Sequence, residues 1–192
     1  MQKKIEDMIH FIKLMGRLKK IKRSGWVKKV NVKQPESVAD HTFRTAILCM
    51  IIGDMKGLDT LRMLRVALIH DACESIIGDL MHYKDEREDL RKRELENDAM
   101  IQILSLLPED IRKNYSKIWK DFQDEESLEA KIVREMDKLE MVFQALEYEE
   151  EGYDKEKLSE FWDSAEDSIN DPDAKAVFNM LKKQSKINFQ LH

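Results

Sequence analysis

Within Arg65-Val-Ala-Leu-Ile-His-Asp-Ala-Cys-Glu-Ser-Ile-Ile-Gly78, three ionisable side chains, His70, Asp71 and Glu74, interrupt an otherwise apolar stretch. Read as a helix, this stretch is apolar almost all round and belongs in the interior of a protein. Helical spacing sets Glu74 one turn beyond both His70 (i,i+4) and Asp71 (i,i+3), so the three can share one side. Burying a carboxylate without compensation is costly, and two close together also repel. A divalent cation relieves both penalties, because it pairs the charge and accepts a neutral imidazole as ligand. A buried His–Asp hydrogen bond, with Glu74 turned to solvent, explains the same residues equally well. The decision rests on whether the chain supplies more ligands elsewhere.

Two further polar residues stand at positions of that kind. In Pro35-Glu-Ser-Val-Ala-Asp-His41, Ser37 is a good N-cap and Asp40 completes a capping box, which puts His41 at the end of the first helical turn. A lone histidine there is more often a hydrogen-bonder than a ligand. Further on, Val133, Asp137 and Met141 lie above one another at i,i+4 spacing, with Met136, Leu139 and Phe143 nearby. Asp137 therefore interrupts an apolar stripe and needs a strong partner, for which Arg134 or Lys138 is the ordinary candidate. Taken together, His41, His70, Asp71 and Asp137 make two imidazoles and two carboxylates, a common donor set for a first-row metal and harder than the cysteine-rich zinc sites. A separate anion site is suggested by Arg17 to Lys33, which has many cations and no acid. Arg23 offers a planar fork to a phosphate there, Trp26 a flat wall for a base or sugar, and Ser24-Gly25 a turn between them. The competing account of this segment is a solvated loop or helix end.

The elements that must position these residues are helices. The 192-residue chain fits one domain, residues 1–192, large enough for a real core. Gly and Pro are scarce, Leu, Ile, Met, Glu and Lys abundant, and no run alternates as a strand does. A net charge of −5 argues against a general nucleic-acid binder. Cys49 and Cys73 form no CxxC or disulfide-rich pattern, which suits a reducing cytosol. No apolar run resembles a signal peptide or spans a bilayer; Ala46 to Gly53 is far too short. The expectation is a soluble cytoplasmic protein with no membrane partner.

In order, an amphipathic helix is expected over residues 3 to about 21, carrying Ile5, Met8, Ile9, Ile12, Met15 and Leu18. A helix from Ser37 to about Asp54 follows, then one from near Asp59 that runs through His70 and Glu74 and stops before Gly78, the expected C′ glycine, with Asp79 at its exit. Residues 85 to 98 read as an exposed helix with little to bury except Leu90 and Leu95. Pro108-Glu-Asp opens another helix, Ser127 to about Glu151 is a second informative one, and the C-terminal part adds one or two more with core aromatics.

Spread as H…HD…D over an all-helical chain, His41, His70-Asp71 and Asp137 closely resemble the HD-domain phosphohydrolases. More narrowly, Arg23-Ser-Gly-Trp26, Pro35-Glu-Ser-Val-Ala-Asp-His41, His70-Asp-Ala-Cys-Glu74, Gly78-Asp79 and Met136-Asp137 resemble the 5′-deoxynucleotidase branch of that family, in the right order and over most of the chain. The resemblance implies an all-α, single-domain helical bundle of the HD-domain type, often a homodimer. It implies a divalent metal cation (Mn, Co, Mg, Fe, Ni or Zn) and hydrolysis of deoxyribonucleoside 5′-monophosphates to deoxynucleoside and phosphate. The partner is then a small nucleotide, not a nucleic-acid polymer. By the same resemblance His41, His70, Asp71 and Asp137 match the metal ligands, and Asp71 also lies beside the substrate. Glu74 and Asp79 match carboxylates that act on the attacking water and the sugar, Arg23 matches the arginine that orients the phosphate, and Trp26 a substrate-contacting tryptophan. Two departures stand out. Ser24-Gly25 separates Arg23 from Trp26, which are adjacent in some bacterial members. Leu80-Met81-His82 replaces a small residue and proline after Asp79, so His82 either alters the pocket or is an exposed loop histidine.

The chemistry of the residues agrees with that resemblance. A bound metal acts as a Lewis acid on a phosphoryl oxygen and lowers the pKa of a water. Arg23 would neutralise the equatorial oxygens, where positioning and electrostatics supply most of the catalysis. Nothing resembles a Walker loop or a Ser-His-Asp arrangement. The rival readings are an HD hydrolase for cyclic nucleotides or alarmones, and a non-enzymatic helical RNA-binding or scaffold protein using the Arg17–Lys33 patch.

Overall fold

The structure, a computed structural model, describes residues 2–81 and 86–188; His82 lies outside the described residues. Among them the chain is all-α, with no strand and one isolated antiparallel bridge, Lys22 to Ser37. The helices are α1 (Gln2–Arg17), α2 (Val38–Lys56), α3 (Thr60–Ile69), α4 (Glu74–Ile77), α5 (Glu86–Leu104), α6 (Glu109–Asp124), α7 (Leu128–Glu150), α8 (Lys155–Ser168) and α9 (Pro172–Asn188), with a π-helical turn, Trp26–Val30, between α1 and α2.

The bundle is organised around α7, which packs against α2, α3, α6, α8 and α9. Val133, Met136, Leu139, Val142 and Ala145 are all fully buried, so this helix is apolar on most of its circumference. Its start is fixed by Ser127, whose hydroxyl accepts from Ala130 N, while Asp121 at the end of α6 accepts from Ser127 N (2.8 Å) and Ser127 Oγ (2.6 Å). The start of α2 is the capping box read from the sequence: Ser37 Oγ accepts from Asp40 N, and Asp40 Oδ2 accepts from Ser37 N at 2.8 Å. The end of α2 is the left-handed Gly57 (φ 65°).

Three expectations need correction. The helix expected from Asp59 to Gly78 breaks after Ile69. Ala72, Glu74, Ser75 and Ile76 donate to carbonyls three residues back instead of four, so the chain tightens into 3₁₀-type turns before α4. Nor is it buried all round, since Leu61 and Leu68 face solvent. The first helix ends at Arg17, and its stripe is only partly used: Leu14 and Leu18 are buried, whereas Ile5, Met8, Ile9 and Ile12 are exposed. In α5, Leu90 and Leu95 are exposed and the buried residues near them include Lys92, with Ala99, Met100, Ile103 and Leu104 further on. A charged side chain there was not legible as a core-facing group.

Candidate active site

The site begins with backbone constraints. Segment 21–24 is zipped to 36–38: Val38 N donates to Ile21 O, and Arg23 N to Glu36 O. This draws Arg23 to the N-terminal end of α2, beside His41. The tight turns after α3 place Asp71 and Glu74 three residues apart, a spacing at which 3₁₀ side chains eclipse. Gly78 then takes φ 77°, a conformation costly for a side-chain-bearing residue, and turns the chain so that Asp79 comes back over Glu74. Asp79 Oδ2 accepts a short hydrogen bond from Ser24 N, which ties the loop of Arg23 to the exit of α4.

Three segments deliver His41 (α2), His70 and Asp71 (the turn after α3) and Asp137 (α7) to one point. His41 Nε2 lies 2.9 Å from Asp137 Oδ1 and 3.7 Å from Asp71 Oδ2. His70 Nε2 lies 3.1 Å from Asp71 Oδ2 and 3.9 Å from Asp137 Oδ1. One ligand atom each from His41, His70 and Asp71 fall within 4.8 Å of one another. Both Nε2 atoms are shut off from solvent and make no well-directed hydrogen bond, although carboxylate oxygens stand close by. Each imidazole has its other nitrogen engaged: His70 Nδ1 with Ala67 O at 2.7 Å, His41 Nδ1 with Glu140 in a short contact. Two imidazole nitrogens aimed at a point flanked by two carboxylates fit a divalent cation, which displaces any proton they carry, in number, charge and donor chemistry.

Electrostatics describe the same crowding. Burial opposes ionisation of Asp71 and Asp137, yet the groups around them win: His70, Arg23 and His41 hold Asp71 well below the carboxylate range, as Lys138, His41 and His70 do for Asp137. Burial and Arg23 oppose a charge on His41, but Glu140 and Asp137 outweigh them and raise its pKa to about 10. Burial, then Asp71 and Asp79, push Glu74 up to about 11 against the pull of Arg23. Arg23 is partly buried and stays fully charged among Asp71, Asp79, Asp137 and Glu74.

Arg23, His70, Asp71, Glu74, Asp79 and Asp137 line one cavity of about 290 Å³, at the small end for small-molecule sites. Trp26 also lines it but is 1% exposed: its ring stacks on Phe161 (centroids 4.0 Å apart), and Nε1 donates to Glu36 Oε1 at 2.8 Å. Most of the indole is therefore spent in the core, and little of the free flat wall expected from the sequence is left. The basic segment divides likewise, with Arg23 and Lys29 on the cavity wall and Lys28 outside it. Lys92, Gln123, Lys138 and Phe161 also line the cavity without having been singled out as site residues. For Glu140, sequence held a usable signal: a second acid one helical turn after Asp137, between Leu139 and Met141.

A helical bundle that gathers an H…HD…D donor set at the junction of its central helices has the features of an HD domain. The chain belongs to the HD-domain family, whose profile matches residues 15–177. Within it, the chain is 38% identical over 182 residues to the 5′-deoxynucleotidase HDDC2 of Homo sapiens, a match covering 95% of this chain and 88% of that protein. A conserved hypothetical protein from Pyrococcus furiosus has the same fold, with TM-score 0.74, 33% identity, and 91% and 99% of the two chains covered. A more distant fold relative is a cyanophage S-2L HD phosphohydrolase bound to dA and one catalytic Zn2+ ion (TM-score 0.52, 19% identity, 93% and 96% covered).

Proposed function

We propose that this protein is a divalent-metal-dependent phosphomonoesterase that hydrolyses deoxyribonucleoside 5′-monophosphates to deoxynucleoside and phosphate. The observation that carries the reading is the convergence of His41, His70, Asp71 and Asp137 beside Arg23 and Glu74, with all of these but the fully buried His41 lining one cavity. The name of the Homo sapiens relative and the bound dA and Zn2+ of the phage relative are consistent with it.

In this reading His41, His70, Asp71 and Asp137 hold the cation, which supplies Lewis acidity toward a phosphoryl oxygen. Arg23, already charged and set among carboxylates, presents its guanidinium to the phosphate and balances the equatorial oxygens. Glu74 exchanges a proton with the attacking water. Asp79, anchored by Ser24 N, accepts from the sugar 3′-hydroxyl, and the close wall beside it disfavours a 2′-hydroxyl. Trp26 contributes chiefly by fixing the loop of Arg23. The domain is taken as residues 1–192, and the compartment as cytoplasmic, in keeping with the two buried free thiols, Cys49 and Cys73. No helix among the described residues is long and apolar enough to cross a membrane. A homodimer would cover the exposed Ile5, Met8, Ile9 and Ile12 of α1, and a monomeric mass by light scattering would remove that part of the proposal.

The test is phosphate release from a panel of deoxyribo- and ribonucleoside monophosphates, cyclic nucleotides and alarmones, each with several divalent ions. The expected result is metal-dependent release from deoxyribonucleoside 5′-monophosphates, with preference over the ribo forms on the order of a hundredfold, the scale that shape exclusion of one hydroxyl gives. Equal rates on dAMP and AMP defeat the sugar assignment, and no release with any ion defeats the whole reading.

A further inference from the structure

The site has a support that its donor set does not explain. On α2, His41 and Arg44 are three residues apart; on α7, Asp137 and Glu140 are as well, so the two helices face each other with matched polar pairs. Glu140 and the His41 ring are both fully buried. One Glu140 oxygen, Oε2, contacts His41 Nδ1, and the other, Oε1, lies 3.1 Å from Arg44 Nε. Arg44 is itself held by Gln144 Oε1 (2.7 Å) and Glu147 further along α7. One oxygen of the carboxylate thus meets the imidazole and the other forms an ion pair with Arg44, without a well-directed hydrogen bond.

A carboxylate in the core is an expensive way to join two helices. An apolar pair of similar volume would serve as well or better, so helix packing alone gives little reason for a charge here. The two imidazoles also differ. His70 Nδ1 meets a backbone carbonyl, Ala67 O, whereas His41 Nδ1 meets a side-chain carboxyl oxygen, Glu140 Oε2. A carboxylate behind an imidazole fixes the proton on the near nitrogen, leaves the lone pair on the far one, and raises its strength as a ligand. His41 Nε2, the far nitrogen, is the atom that points at Asp137 and Asp71.

We infer that Glu140 is a positioning residue: it locks His41 as the Nδ1–H tautomer with Nε2 turned to Asp71 and Asp137, and thereby sets the site's affinity for a divalent cation. The inference rests on the proposed metal-dependent reading of the same site. Glu36, His41 and Glu140 also bring three ligand atoms within 4.8 Å, but they do not make a second cation site. His41 Nδ1 is engaged by Glu140, Glu140 Oε1 already faces the guanidinium of Arg44, and Glu36 Oε1 accepts from Trp26. Glu140 touches no part of the cavity, so its effect must appear in metal binding before it appears in nucleotide binding.

The experiment compares wild type, Glu140→Gln and Glu140→Met, each stripped by chelation and refilled with Mn2+. Gln keeps the shape and loses the charge, while Met removes the need to bury a charge at all. Three quantities are read: the Mn2+ dissociation constant by calorimetry, the melting temperature of the stripped protein, and KM for dAMP at saturating Mn2+. The expected result is Mn2+ binding weakened by about ten- to a hundredfold in both variants. KM should stay within a factor of about two, because the cation, once bound, presents the same cavity. Mn2+ affinity equal to wild type in a folded variant overturns the inference, as does a lowered melting temperature with affinity unchanged, which marks a purely structural salt bridge. Failure of both variants to fold also overturns it in favour of that structural role. Absence of stoichiometric Mn2+ binding by wild type is a different failure, that of the metal-dependent reading itself.

Discussion

Glu74→Gln separates the burden of holding a proton from its use. Glu74 is 6% exposed and close to Asp71 and Asp79, and its pKa is pushed up to about 11 from an ordinary 4.5. An acid whose pKa is raised on folding stabilises the protein fully only below its unfolded value. As pH climbs from about 4.5, the folded chain must keep a proton that the unfolded chain releases, and stability falls until the folded value is passed. At neutral pH that cost approaches about 3 kcal/mol at most, at roughly 1.4 kcal/mol for each pH unit. Gln has the same shape, cannot ionise, and still donates to Asp79. The metal-stripped variant should therefore melt higher at neutral pH, by up to about 6–12 °C for a chain of this length, with the gain vanishing toward about pH 4. The metal-loaded variant should turn over about 10²–10⁴-fold more slowly, because the amide cannot take or return a proton. Scanning calorimetry at several pH values, metal content and phosphate release on one preparation supply the test. Loss of metal together with activity would make Glu74 a ligand and refute the assigned role. A variant that melts lower at neutral pH would refute the electrostatic argument, and one unchanged in every respect would put the side chain in solvent.

Three other outcomes follow from the geometry. Replacing His41, His70, Asp71 or Asp137 singly with Ala should lower metal content and remove the melting-temperature gain that added metal gives, since a ligand of the native state alone stabilises it; full occupancy in all four variants would sink the assignment. Arg23→Lys should leave metal content intact while catalytic efficiency falls by roughly tenfold or more, because the two-pronged contact with phosphate oxygens is lost; an unchanged kcat/KM would return Arg23 to a structural pairing with Asp71. Asp121→Ala should cost about 2–3 kcal/mol in urea unfolding near neutral pH, through the lost bonds to Ser127 and the pair with Arg62 (2.7 Å). Burial opposes the Asp121 charge, but Arg62 and Ser127 prevail and lower its pKa below 3.8, so the difference from wild type should persist above that value and shrink as pH falls beneath it; a difference that does not vary with pH would show that the charge is not what caps α7.

The sequence by itself determined much of this protein because its chemistry-bearing residues violate local rules. His70 and Asp71 in an apolar run, Asp137 in a buried stripe and the capping box before His41 each mark a place where burial and polarity conflict, and that conflict is visible in one dimension. The helical class was legible for a similar reason: scarce Gly and Pro and a 3.6-residue apolar period need no knowledge of neighbours. What required the tertiary structure was everything set by partners distant in sequence. Helical spacing placed Glu74 correctly for an incorrect reason, since the chain leaves the α-helix at His70 and reaches the same juxtaposition through 3₁₀ turns that no local propensity announced. Trp26 read as a flat wall for a base or sugar, yet Phe161 and Glu36 enclose most of it. The stripe of α1 looked like core, yet no other part of the described chain covers Ile5 or Ile12. Glu140 reads as an ordinary helical acid until α2 is laid against α7, because a side chain 99 residues away decides whether its charge is a solvated surface group or the fixed support of a ligand.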